Sequence, residues 1–182
     1  MHILDSNVWI FAFLKSGEAP LDYLYQVYNG EITVRLTPYI VEEVVTNIRH
    51  EYGGRLTNEQ LDEFLTNFLS FSSNCDHVDS PSQEEIGKID LLQERAKPHY
   101  HLIGETLGIQ AKDAPILLSA YQLRRYDPLI LTADEEFASL DPSDFESYSG
   151  LNPSERNLTS VTIEYLEIDE DITPDRDLPD TN

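Results

Sequence analysis

The sequence predicts an α/β protein built around a short, mainly parallel central sheet, and three observations predict it. Short apolar runs alternate with longer amphipathic ones from Ile3 to Thr132. The run Pro128 to Thr132 is continuously apolar, as a strand buried on both faces is. The longer runs each carry one apolar face, so each must cover another layer.

Taken in order, Ile3-Leu4 and its flanks read as the first strand, and Asn7 to Leu14 starts an apolar helix. Leu21, Leu24, Tyr25 and Tyr28 recur at helical spacing from Glu18 until Asn29-Gly30 stops them. Glu31 to Leu36 alternates and is rich in β-branched residues, which predicts a second strand. Thr37-Pro38 opens a helix with Ile40, Val41, Val44, Val45 and Ile48 on one face, ending before Gly53-Gly54. Thr57 to Leu69 is a further amphipathic helix. Ser80-Pro81-Ser82 is a turn, and Ser82 with Glu85 makes a capping box for a helix to about Ala96. Asp113 to Tyr126 is helical, and Pro128 to Thr132 is the buried strand. There is no internal repeat. Residues 1–150 form the main domain. Residues 151–168 form an extension in which Val161 to Ile168 suits an edge strand. Asp169 to Asn182 is acidic, Pro-containing and poor in apolar residues, which predicts a disordered tail.

Charge is the compositional outlier. Twelve Lys and Arg against 34 Asp and Glu give −22 over 182 residues. Disorder would explain such acidity if apolar residues were scarce, but they make up 40% of the chain, with ten Tyr and seven Phe. The acids are scattered through periodic segments, so they describe an acidic surface on a folded protein. At about 1 M salt the screening length shrinks to about 3 Å, which removes most of the repulsion on such a surface. Only four lysines are present (Lys15, Lys88, Lys97 and Lys112), and the expectation is a halophilic, archaeal source. Cys75 is the single cysteine, so no internal disulfide forms. There is no basic and apolar leader and no apolar run near 18 residues, so a cytoplasmic protein with no membrane contact is expected.

Four acids sit where active-site positions fall. Asp5 and Asp134 each follow an apolar strand, at the end where parallel α/β sheets bind ligands. Asp113 precedes Ala114-Pro115, a good first helical turn, so it reads as a helix cap or as a ligand. Glu42 and Glu43 flank an apolar helix face, and periodicity does not choose between them. Glu135 and Glu136 compete with Asp134 in the same way. Ser6 and Asn7 add short polar side chains beside Asp5. Carboxylates drawn together from distant segments suit divalent metal binding. His99 and His101 do not share a helix face, and no zinc spacing or glycine-rich phosphate loop is present.

The segments Leu4-Asp-Ser-Asn-Val-Trp-Ile, Thr37-Pro-Tyr-Ile-Val-Glu-Glu-Val, Lys112-Asp-Ala-Pro-Ile-Leu-Leu-Ser-Ala and Ile130-Leu-Thr-Ala-Asp resemble the PIN-domain nucleases, in the family's order and at similar intervals. The resemblance covers residues 1 to about 140 and implies a three-layer α/β/α fold. It places the family's acids on Asp5, Glu43, Asp113 and Asp134, with Asn7 and Thr132 as polar helpers and Ser6 beside them. Ala133 departs from the Gly that many members carry, and the C-terminal extension is unlike the short ending of most toxin members. The resemblance implies a ribonuclease that uses Mg²⁺ or Mn²⁺ held by those four acids. It also implies an RNA substrate, a homodimer and, for VapC-like toxins, an inhibitory antitoxin protein. Lys112 and Arg49 are the cations expected near the phosphate path, where Lys and Arg normally supply RNA affinity. A haloacid-type phosphatase would need an acid where Asn7 stands. A receiver domain would need an acidic pair beside Asp5 and a strand-end Lys, neither of which is present. A catalytically inactive PIN scaffold that binds RNA or protein is the competing expectation.

The charge reading makes a prediction. Dialysis from multi-molar KCl into dilute buffer unfolds the protein, seen as loss of far-ultraviolet circular dichroism; full stability in dilute buffer would refute salt adaptation.

Overall fold

The chain order begins with β1 (His2–Leu4), α1 (Ser6–Phe13), α2 (Glu18–Tyr28), β2 (Val34–Arg35), α3 (Pro38–Glu51), α4 (Asn58–Asn74) and β3 (Val78–Asp79). It continues with α5 (Gln83–Ile86), α6 (Leu91–Arg95), α7 (Pro98–Leu107), α8 (Ala114–Gln122), β4 (Leu129–Thr132), α9 (Glu135–Ala138) and β5 (Thr162–Tyr165). These come from a computed structural model that describes residues 1–142, 159–169 and 175–179. All described strands are parallel and form one sheet in the order β3-β2-β1-β4-β5, flanked by helices in a three-layer α/β/α arrangement. No helix among the described residues is long and apolar enough to cross a membrane.

The strand order has a consequence for the site. From β1 the chain builds outward through β2 to β3, then returns past β1 to add β4 and β5 on the other side. The direction of winding therefore reverses between β1 and β4, where an open parallel sheet leaves a crevice at its carboxyl edge. Ile3 stands opposite Ile130 and Leu4 opposite Leu131, so the two strands end level with each other. The backbone N–H of Asp5 donates to the Leu131 carbonyl at 2.9 Å, which holds the exit of β1 against β4.

The core lies along α1. Trp9 and Phe13 pack on Phe68 and Phe71 of α4, with Trp9 and Phe13 each 5.7 Å from the Phe68 ring in edge-to-face geometry. Local chemistry sets the helix ends. Thr37 caps α3 by accepting from the Ile40 N–H, with Pro38 in the first turn. Thr57 with Gln60 and Ser82 with Glu85 form capping boxes for α4 and α5. Gly30 ends α2 at φ +75°, where an added Cβ would stand 2.6 Å from the His77 ring.

Several boundaries differ from the sequence expectation. The helix expected from Ser82 to Ala96 divides in two, because Gly87 ends α5 and Asp90 starts α6 by accepting from the Leu92 and Gln93 N–H groups. The expected strand from Glu31 to Leu36 contracts to β2. The helix from Asp113 ends at Gln122 and gives way to a 3-10 turn at Arg124–Tyr126, closed by Asp127 at φ +51°. β3, α7 and α9 had no counterpart in the sequence reading. β5 falls within Val161–Ile168 and forms an edge of the sheet, beside β4.

Of the expected tail after Asp169, residues 175–179 are described and make contacts with α2; residues 170–174 and 180–182 lie outside the described residues, as does 143–158 of the expected domain boundary. Arg176 pairs with Glu18 and Asp22 of α2 and lies 4.9 Å over the Tyr25 ring. The Tyr25 hydroxyl donates to the Asp177 carbonyl at 2.8 Å. Leu178 borders a cavity of about 210 Å³ with Phe13, Phe64 and Leu56. Composition concealed this docking, because a single Arg and a single Leu make the contacts within an otherwise acidic stretch.

Phe68→Ala removes the ring that both Trp9 and Phe13 face. It should cost about 3–5 kcal/mol, read as a lower denaturant midpoint at constant KCl.

Candidate functional site

Asp5 leaves β1 at the switch point and is 4% exposed. Its carboxylate is fixed on both sides. Oδ1 accepts from the Ser6 N–H at 2.6 Å and the Ser6 hydroxyl at 3.3 Å, and Oδ2 accepts from the Thr132 hydroxyl at 2.7 Å. Thr132 is the last residue of β4, and its Oγ1 also accepts from the Asp134 N–H at 3.0 Å. One hydroxyl therefore ties the two strand ends together.

Glu43 reaches the same crevice from the second turn of α3 and is 3% exposed, while Glu42 beside it is half-buried. The structure thus chooses between two acids that periodicity could not separate. Glu43 lies on the inward helical face with Ile40 and Val44. Asp113 stands at the N-cap position of α8 with helical backbone angles and makes no capping hydrogen bond. Its carboxylate is 3% exposed and accepts no hydrogen bond from any described residue. The cap alternative is thereby removed. Asp134, by contrast, does cap. Its Oδ1 accepts from the Glu136 and Phe137 N–H groups at 2.9 and 3.1 Å and starts α9. Its Oδ2 lies 3.9 Å from Lys112 Nζ.

Electrostatics show that these carboxyls share one environment. Burial raises Asp5, with Thr132 and Ser6 opposing the shift. Burial first and the Asp5 charge second push Glu43 up to about 7. The same two causes, joined by Asp134 and Glu43, push Asp113 up to about 8. Lys112 opposes the shift at Asp5, Glu43 and Asp113.

Two residues of the site went unnoticed in the sequence. Arg95, the last residue of α6, donates through Nη2 to Glu43 Oε1 at 2.7 Å and through Nε to the Tyr39 hydroxyl at 3.3 Å. Tyr39 in turn donates to the Lys112 carbonyl at 2.9 Å, immediately before Asp113. Arg95 closes a helix whose own register the sequence did not reveal, so nothing marked it as facing α3. Of the other expected residues, Asn7 is half-buried on α1 and Ser6 binds Asp5. Arg49 is exposed at the end of α3, about 9 Å along the axis from Glu43 and on another helical face. It does not join the cluster.

Among the described residues, no three His, Cys, Asp or Glu groups converge into a ready coordination set. The donors present are carboxylates, the ligands hard divalent cations take. Asp113 keeps both oxygens open, whereas the Glu43 pair with Arg95 and the Asp134 cap would have to rearrange for all four to bind one ion. The cavity beside Leu178 lies at the far end of α1, roughly 12 Å along the helix axis from Asp5, and is no part of this site.

No protein-family model matches the chain, and no curated protein or solved structure gives a significant match.

The raised carboxyls set a pH dependence. Unfolded carboxyls titrate near 4, so in the metal-free fold Glu43 and Asp113 hold protons that the unfolded chain has lost. Their contribution to stability is complete below about pH 4 and is lost as the pH rises through about 7 for Glu43 and about 8 for Asp113. With chelator present and KCl constant, the thermal midpoint should fall from about pH 5 to about pH 9. Asp113→Asn should flatten that fall and stabilise the protein at the alkaline end.

Proposed function

We propose that this protein is a metal-dependent ribonuclease of the PIN type, hydrolysing RNA phosphodiester bonds at the crevice between β1 and β4. One observation carries the reading. Asp5, Glu43 and Asp113 are buried together at the switch point, and each of the latter two is driven up by the charge of Asp5. Leaving like charges close together in a dry crevice costs folding energy unless a cation or protons compensate them. Divalent cation binding is one function that makes use of that cost.

Mg²⁺ or Mn²⁺, when bound, would lower the pKa of a water and polarise the scissile phosphate. Asp5 and Asp113 would hold it, joined by Glu43 and Asp134 on rearrangement. Thr132 and Ser6 orient the Asp5 carboxylate, as hydrogen-bonding partners orient metal ligands elsewhere. Burial of Asp5, Glu43 and Asp113 lowers the effective dielectric around them and so strengthens these interactions. Lys112 supplies positive charge beside the acids. In this reading the protein acts in a halophile's cytoplasm, as a homodimeric toxin restrained by an antitoxin protein.

A second reading draws on one specific contact. The Arg95–Glu43 ion pair already gives one buried carboxylate a counter-charge, as an inactive PIN-fold module binding RNA or protein would retain.

Cleavage of a labelled structured RNA in multi-molar KCl separates the two. The nuclease cuts with Mn²⁺ or Mg²⁺ and stops with EDTA. Asp5→Ala should lose more than about 100-fold in rate, and Thr132→Val about 10–100-fold, the usual cost of removing a ligand's hydrogen-bond partner. No cutting by folded protein would favour the binding module.

A further inference from the structure

We propose that Arg95 is a phosphate-holding residue of this crevice, with one edge of its guanidinium fixed to the protein and the other presented to an RNA phosphate. The proposal rests on the ribonuclease reading, and it names a substrate contact which that reading does not contain.

The argument starts with how α6 is held. Asp90 accepts from two N–H groups at its start, and Gln93 Nε2 donates to the other Asp90 oxygen at 2.9 Å. Leu91 is buried in the core. A five-residue helix is thereby locked at its first turn and delivers Arg95 from its last residue to α3. There the guanidinium is used asymmetrically. Nε and one proton of Nη2 are taken by the Tyr39 hydroxyl and Glu43 Oε1. Nη1 donates to no described residue, and the side chain is 33% exposed. A buried counter-ion for Glu43 would need only the first edge.

A planar cation with a pinned edge and an open edge is suited to bind a phosphate oxygen. Its orientation is settled before the ligand arrives, so little rotamer entropy is lost on binding. The position fits too. The Tyr39 hydroxyl joins Arg95 to the Lys112 carbonyl, and Lys112 Nζ lies 3.9 Å from Asp134 Oδ2. Two cations thus flank the carboxylates, Arg95 at the Glu43 side and Lys112 at the Asp134 side. On a chain of net charge −22, a phosphate backbone gains local attraction only at such points.

The test uses the full chain, one single-stranded RNA and a KCl series with Mn²⁺. Where the wild type cuts that RNA, kcat and KM are measured; where it does not, fluorescence anisotropy of the intact RNA gives the affinity. Arg95→Met should weaken kcat/KM or affinity by at least about tenfold and make the slope of its logarithm against log[KCl] shallower by about 0.7, one phosphate contact on a single strand. Arg95→Lys keeps the charge beside Glu43 but loses the fork, and should recover the slope without recovering the affinity. Tyr39→Phe frees the pinned edge without changing charge and should weaken binding about 2–10-fold. It also serves if Arg95→Met does not fold. Unchanged affinity and slope in folded Arg95 variants, or no RNA binding by the wild type, would overturn the proposal. Cutting by the wild type with unchanged Arg95 variants would overturn it alone and leave the ribonuclease reading standing.

Discussion

Moving a carboxylate out of water costs several kcal/mol of solvation, and this protein does so three times in one crevice, at Asp5, Glu43 and Asp113. Most of the polar architecture nearby is a response to that cost. Thr132 and Ser6 take the Asp5 oxygens, Arg95 takes one oxygen of Glu43, and Lys112 lies beside Asp134. Asp113 accepts no hydrogen bond from any described residue, and burial with the Asp5 charge pushes it up to about 8, opposed by Lys112. A fold that retained these acids for stability alone would gain by replacing them with apolar residues of similar size.

Sheet topology makes the crevice. Parallel strands send all their carboxyl ends to one edge, and the reversal of winding between β1 and β4 leaves a gap there. β1 contributes only three residues, and its position depends on the layer above it. α1 begins directly after Asp5 and carries Trp9 and Phe13 into the aromatic cluster with α4. The acid and the core anchor are thus four residues apart on one short segment. Movement of α1 in its aromatic socket would move Asp5, so core packing and site geometry are mechanically linked.

The acidic surface and the acidic site are separate matters. Exposed acids repel one another through solvent, and salt screens them. The buried ones interact where screening ions do not reach, so salt leaves their mutual repulsion largely intact. The C-terminal segment shows how sparse cations are used in such a chain. Arg176 bridges Glu18 and Asp22 and covers Tyr25, which brings an acidic segment back against α2.

Much of this was legible without coordinates. Alternating apolar runs determined the α/β class, because strands buried on both faces and helices buried on one leave different periodicities. The strand-end positions of Asp5 and Asp134, and the polar neighbour Ser6, follow from the same pattern, while Thr132 was marked as a helper only by the family resemblance. Periodicity left Glu42 and Glu43 open, and the family resemblance pointed to Glu43. Packing shows the physical difference, burying Glu43 in the crevice while Glu42, one helical step away, stays half-buried. Tertiary structure alone decided between cap and open carboxylate, removing the capping role from Asp113 and keeping it for Asp134, because capping depends on side-chain direction as well as residue type. It alone brought Arg95 to Glu43, 52 positions away in the chain. Local sequence encodes periodicity and caps, which are short-range physics. A long-range ion pair exists only once the layers have packed, so no local pattern records it.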